Sequence, residues 1–294
     1  MPLFASTKLL DVAYEATGPA DGSPVILLHG WPDDVRTWDR VLPALHAAGL
    51  RTIVPWLRGF GPTRFRAENT PRTGQPTALG RDLLDFADAL GLARFQVVGH
   101  DWGARSAYIA ACLAPDRLAR CAALSVGWGG LDPNQPLSVP QVQNYWYQWY
   151  MALDRGADLV RHDRETYTRH IWTIWNPGWT VSDTEFAATA ASFANPDWAD
   201  ITLHSYRQRW GLAPSDPAYE ADEARIKADP RIRVPTLCLH GGDDPASGPG
   251  TSEGKEGFFL GSYERRVLPG AGHFPQRQQS DEVGALLVRF LTAA

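Results

Sequence analysis

Cysteine is scarce in this chain, and that scarcity excludes two ways of building a protein. Three cysteines, Cys112, Cys121 and Cys238, lie inside apolar runs with no CxxC or zinc-like spacing, so neither a disulfide framework nor a zinc site is expected. They read as small buried filler in a reducing compartment. No run approaches the roughly eighteen apolar residues that span a bilayer, and Met1 to Leu10 lacks the apolar core of a signal peptide. A cytoplasmic protein without membrane association is therefore expected. Basic excess is also missing: Lys and Arg total 28 against 33 for Asp and Glu, a net charge of −5, and no segment carries a basic stripe for nucleic acid. There is no phosphate-binding glycine loop and no His/Cys/acid cluster of metal spacing, so neither cofactor nor metal is expected. Nothing in the sequence fixes an oligomeric state.

What is present is a βα rhythm with one interruption. Leu9 to Thr17 partly alternates apolar and polar residues, as a half-solvated antiparallel strand does. Pro24-Val-Ile-Leu-Leu28 is a short continuous apolar run, the mark of a strand buried on both faces. Helical spacing over 37–48, a strand at 51–55, a helix over 78–90, a strand at 94–98, a helix over 103–113 and a strand at 119–125 follow. Such alternation predicts a mainly parallel sheet flanked by helices, an α/β fold. From Leu131 to about Arg233 the pattern holds helical patches and prolines but no convincing strand, and it carries seven of the twelve tryptophans. Strand patterns return at 234–240 and 263–268, then a final helix at 281–291. The expected division is a core of 1–130 and 234–294 with a helical cap inserted at 131–233.

The stretch Phe95 to Arg105 holds the chemistry. A buried strand stops at Gly99-His-Asp101-Trp-Gly103 and a helix begins, the pattern of a nucleophile elbow, where a tight turn lifts the central side chain above the sheet. That side chain is an aspartate, already anionic at neutral pH, and a carboxylate displaces a leaving group from sp3 carbon without an activating base. On an ester carbonyl it would give a reactive anhydride, which argues against a simple esterase. The competing reading is an Asp that only caps the helix. Gly241-Gly-Asp-Asp244 follows a later strand and Gly270-Ala-Gly-His273 the one after it, so nucleophile, acid and histidine occur in the chain order of the α/β-hydrolase triad.

With His29-Gly-Trp-Pro32 and Arg58-Gly-Phe-Gly61 added, these motifs resemble those of α/β-hydrolases of the epoxide hydrolase and haloalkane dehalogenase group. The resemblance implies Asp101 as nucleophile forming an alkyl ester, His273 as the base that activates water, and Asp244 as the acid orienting it, with Asp243 as the competitor. It implies an oxyanion hole from the backbone N–H groups of Trp31 and Trp102. His29, His100 and His240 are expected to pack or hydrogen-bond, and the Arg58 segment to shape a loop.

The leaving group depends on the insertion. An opening epoxide needs a proton donor such as tyrosine, whereas halide needs N–H donors in a dry pocket. Two cap tyrosines are implied by the resemblance, at Trp146-Tyr147 and at His204-Ser-Tyr206-Arg, with Tyr145 and Tyr150 as alternatives to Tyr147. Substrate contacts are expected from Trp102, Trp146 and Tyr150. The expected reaction is epoxide opening to a vicinal diol, with small apolar or aromatic substrates and water. Haloalkane dehalogenation is the alternative, since Trp102 also stands where dehalogenases of the group hold halide. Fluoroacetate dehalogenases hold a substrate carboxylate with arginines near the nucleophile; Trp102 stands where one of these would be, and Arg105 lies further along the helix, which ranks that reading third. A ligand-binding protein that has lost its chemistry is the reading from another class.

Overall fold

The apolar runs become the centre of one sheet in a computed structural model that describes residues 1–131 and 136–293. Its strands are β1 (Leu3–Ser6), β2 (Leu10–Thr17), β3 (Ser23–Leu28), β4 (Leu50–Pro55), β5 (Arg64–Phe65), β6 (Phe95–His100), β7 (Leu118–Leu124), β8 (Thr236–Gly241) and β9 (Tyr263–Leu268). They pair in the order β1-β2-β4-β3-β6-β7-β8-β9, with β5 alongside β2. β1 and β2 are antiparallel to their neighbours; from β4 to β9 every pairing is parallel. β6 is buried along its whole length, as a run without alternation requires.

Helices cover both faces: α1 (Leu42–Ala47), α2 (Pro76–Ala89) and α3 (Trp102–Leu113) in the first part, α11 (Pro275–Gln278) and α12 (Ser280–Leu291) in the last. α2 packs on α3, and α1 on α12. Two local expectations differ. The helix over 37–48 is split into a 3₁₀ turn, Val35–Trp38, and the short α1, because Pro43 fits only in the first turn of a helix. β1, at the sheet edge, has no apolar alternation of its own and was not expected; it forms by pairing with β2.

Between β7 and β8 lie α4 (Val139–Asn144), α5 (Trp146–Ala152), α6 (Asp154–His162), α7 (Arg164–Trp175), α8 (Asp183–Ala190), α9 (Trp198–Arg209) and α10 (Glu220–Ala228). No strand occurs there among the described residues; 132–135 lie outside them. α10 packs on α3, its Glu223 accepts hydrogen bonds from Gln75 and Thr77, and its Asp222 pairs with Arg81 of α2. The chain thus rejoins the core layer near residue 220, earlier than the expected boundary at 233. β3, β6, β8 and β9 all end at one edge, which is where parallel sheets gather functional loops.

Candidate active site

Asp101 stands at the corner between β6 and α3 with φ 50° and ψ −110°, a backbone state that side chains rarely adopt. Two glycines make the corner feasible. A Cβ on Gly99 would sit 2.1 Å from the Gly103 carbonyl oxygen, and one on Gly30 would sit 2.4 Å from the Asp101 Cβ. The Asp101 side chain makes no capping hydrogen bond to α3, which removes the plain helix-cap reading. Its Oδ1 accepts the Trp31 N–H at 3.0 Å, and its Oδ2 faces His273 Nε2 at 3.7 Å. The Trp102 N–H, first in α3, has no acceptor within the helix and lies on the same turn.

His273 is buried, and its Nδ1–H donates to Asp244 Oδ2 at 2.9 Å. Asp244 is held in turn by the N–H groups of Ala246 and Ser247, both on Oδ1, while Asp243 is exposed to solvent. The histidine main chain is fixed as firmly: its N–H donates to Trp175 O, and its carbonyl accepts Ser125 Oγ and His100 Nε2, each at 2.8 Å. His273 Nε2 is left with no hydrogen-bond partner among the described residues. Ser125 and Trp175 carried no sequence signal for this role; His100 had been expected to hydrogen-bond, and does.

Electrostatics follow from this geometry. Burial would raise the Asp101 carboxyl, but His273 and the Trp31 N–H outweigh it and bring it to about 2. Burial would lower His273, but Asp244 and then Asp101 raise it to about 10. Asp244 is held below the usual carboxylate range by the two histidines it faces, His273 and His240, against the opposing effect of burial. Asp244 raises His240 as well, to about 9, against burial. The resting site therefore favours charged carboxylates at Asp101 and Asp244 and a charged imidazolium at His273 between them.

Opposite this group stand aromatic rings from the inserted helices. Tyr147 stacks on Trp31 with centroids 5.7 Å apart and meets Tyr206 edge-on at 5.4 Å; Tyr206 lies 5.8 Å from Trp102. Burial and the nearby Asp101 charge raise both phenols, keeping them protonated donors at neutral pH. With Tyr145, Arg105, Arg209, Ala246 and Ser247 they surround a void of about 10 Å³ at Asp101 and His273. A larger cavity of about 900 Å³ shares Trp102, Arg105, Tyr145, Tyr206, Arg209 and Ser247 with it.

Two of the expected substrate contacts lie elsewhere. Trp146 is 36% exposed, packs against Tyr147, Tyr167 and His170, and lines neither cavity. Tyr150, one turn further, lines neither cavity. Tyr145, an alternative to Tyr147, does reach the void, but its hydroxyl accepts from Arg209 Nη2 at 3.3 Å. Nor is the lining purely aromatic, since it includes Arg105 and Arg209. Both had a readable signal in hindsight: Arg105 is four residues after Asp101, and Arg209 three after Tyr206, so each shares a helix face with a site residue. Among the described residues no group of three or more metal-binding side chains occurs, and no helix is long and apolar enough to cross a membrane.

The fold and this constellation define an α/β-hydrolase: the sequence model described as "alpha/beta hydrolase fold" matches residues 23–278, and the chain belongs to that family. Within it the chain is an epoxide hydrolase-like hydrolase. It is 29% identical to an epoxide hydrolase of Caballeronia sordidicola over 96% of this chain and 90% of that one. It is 26% identical to a haloalkane dehalogenase of Psychrobacter cryohalolentis, over 96% and 88%. Among solved structures, a Klebsiella pneumoniae protein provisionally described as an epoxide hydrolase shares 38% identity and a TM-score of 0.91, covering 98% of this chain and 95% of the other.

Proposed function

We propose that the chain hydrolyses an epoxide to a vicinal diol through a covalent ester on Asp101, beneath a cap formed by the inserted helices. One observation carries this reading: Asp101 Oδ1 already accepts the Trp31 N–H while Oδ2 faces His273, and the tyrosine pair lines the same void as both. Oδ2 attacks an oxirane carbon, the ring C–O bond breaks, and the released alkoxide takes a proton from Tyr147 or Tyr206. Esterification removes the Asp101 charge, so His273 loses one of the influences raising it and passes its proton, through solvent, back to the tyrosine. The neutral imidazole then deprotonates a water, which adds to the Asp101 carboxyl carbon. Negative charge develops on Oδ1, where the Trp31 N–H stands and the Trp102 N–H is within the same turn. Collapse expels the diol alkoxide, which takes the carboxyl proton, and Asp101 and the imidazolium are restored. The sum is one epoxide and one water giving one diol. Cys121 and Cys238, buried and unpaired, suit a cytoplasmic protein.

Two measurements test this. A His273→Ala variant incubated with styrene oxide should gain the whole mass of the epoxide, mapped to Asp101. A single turnover in ¹⁸O-water should label Asp101 and leave the diol unlabelled, since the bond cleaved lies between Oδ2 and the carboxyl carbon. Haloalkane dehalogenation is the second reading, favoured by the Trp102 indole that faces both cavities. An adduct with 1-bromobutane of butyl mass without bromine, and none with epoxides, would establish it. Ligand-induced thermal stabilisation without any adduct or turnover would point to a binding protein instead.

A further inference from the structure

The two arginines buried in the core, Arg58 and Arg277, are spoken for. Arg58 holds Asp82 through two contacts, at 2.5 and 2.6 Å, and Arg277 holds Asp33 in the same forked manner at 2.5 and 3.1 Å. Arg105 and Arg209, both half-buried, are different. Both line the void at Asp101 and the larger cavity beside it. Neither has a carboxylate within ion-pair distance among the described residues: the Arg105 side chain makes no hydrogen bond there, and Arg209 makes one, to the neutral Tyr145 hydroxyl. Arg209 otherwise lies over two rings, 5.0 Å from the Tyr145 centroid and 5.3 Å from that of Trp210.

Two half-buried guanidiniums beside each other repel, and each gives up part of its hydration, which ring faces replace only in part. Proteins tolerate this arrangement where an anion is to be bound. Further out, Lys227 and Lys255 line the same large cavity. Glu223 is the one acid lining it among the described residues, and it is engaged by Gln75, Thr77 and Lys227. Asp101 cannot serve as the missing partner, being committed to the Trp31 N–H and His273.

We infer that the substrate carries a carboxylate next to its oxirane ring, clasped between Arg105 of the core helix and Arg209 of the inserted helices, with its remaining substituent in the large cavity. This deepens the epoxide-opening reading and rests on it. The shared walls of the small void set the spacing: Asp101, the tyrosine pair and both guanidiniums surround the same about 10 Å³, so the anion lies within a bond or two of the carbon attacked. Carboxylate suits the forked donors better than a bulkier phosphate in so small a space. The Tyr145 and Ser247 side chains, on the same wall, supply neutral hydroxyls. The product is the 2,3-dihydroxy carboxylate, with one water consumed.

The test compares 3-phenylglycidate, its methyl ester and styrene oxide as substrates of the wild-type enzyme and of Arg105→Met and Arg209→Met. Wild type should prefer the acid to the ester by about a hundredfold in kcat/KM, and each variant should lower that ratio at least about tenfold, mainly through KM. The wild-type ratio needs no variant, so a misfolded mutant does not blur the answer. Turnover of the ester or styrene oxide with no preference for the acid overturns the carboxylate inference and leaves epoxide opening intact. Failure of all three to turn over or to form an Asp101 adduct in His273→Ala overturns both. Halide release from 2-chlorophenylacetate without diol formation from any epoxide also overturns the proposal, because the leaving group is then wrong.

Discussion

The floor and the roof of this site are built by different physics. Below, Asp101, Asp244 and His273 come from the ends of β6, β8 and β9, and each is fixed by backbone groups or by another member of the set. Above, Tyr147, Tyr206 and Arg209 are held by side chains packing on side chains, ring against ring, and the Tyr147 hydroxyl accepts from the neighbouring Gln148 amide. The floor is an electrostatic device whose members stand or fall together. The roof is a packed surface whose members should contribute separately and more weakly.

The largest break should come from the floor. Asp101→Ala is expected to reduce kcat/KM for an epoxide by at least on the order of 10⁴, with no adduct in the mass spectrum. Asp244→Asn should cost a comparable factor, about 10⁴, because the amide no longer stabilises the imidazolium or selects its tautomer. Combining the two should cost little more than either alone, and multiplication of the two effects would show that they do not act as a unit. The roof should respond more mildly: Tyr147→Phe or Tyr206→Phe is expected to lower the rate of ester formation about 10- to 100-fold each, read by stopped-flow quenching of the many nearby tryptophans. Equal losses on deleting a roof tyrosine and a floor carboxylate would erase the distinction.

The same difference explains what could be read from sequence. Floor residues sit on turns that dictate their neighbours: the Asp101 corner requires Gly99, and the approach of the His29-Gly-Trp turn requires Gly30, so chemistry leaves a local imprint in the chain. Asp243 and Asp244 could not be separated that way, because only the fold shows that one faces His273 and the other solvent. Aromatic residues on α5 leave no such imprint. Trp146, Tyr147 and Tyr150 are interchangeable by composition, and helix rotation, set by packing against Trp31 and Trp175, decides that only Tyr147 faces Asp101. The spacing of Arg105 from Asp101 places it on the site's helix face, but its neighbourhood with Arg209, over a hundred positions away, shows only in the fold. The sheet was legible throughout its centre, where burial on both faces writes an unbroken apolar run, and illegible at β1, which exists through pairing alone.

The smallest expected effect is also the one that most directly probes the coupling within the floor. His273 is raised to about 10 because Asp244 and Asp101 both favour its charged form against the pull of burial. At neutral pH it is then protonated and useless as a base, an apparent contradiction for the group proposed to activate water. The contradiction disappears once the reaction is under way. In the proposed reaction, ester formation neutralises Asp101, one of the two raising influences is lost, and the imidazole pKa falls at the step where a base is needed. Removing the Asp101 charge by mutation mimics that change. In Asp101→Ala the His273 resonances should titrate at lower pH than in wild type, by an amount of order one unit or more, while Asp244→Asn should lower them further because it removes the influence that ranks first after burial. The sign also fixes the pH dependence of the reaction: decay of the Asp101 ester should remain fast at pH values where the resting imidazole is still protonated, slowing only at lower pH. An ester whose decay rate follows the resting-enzyme titration would mean that His273 does not sense the charge on Asp101, and that the carboxylates and the imidazole of the floor titrate as independent groups.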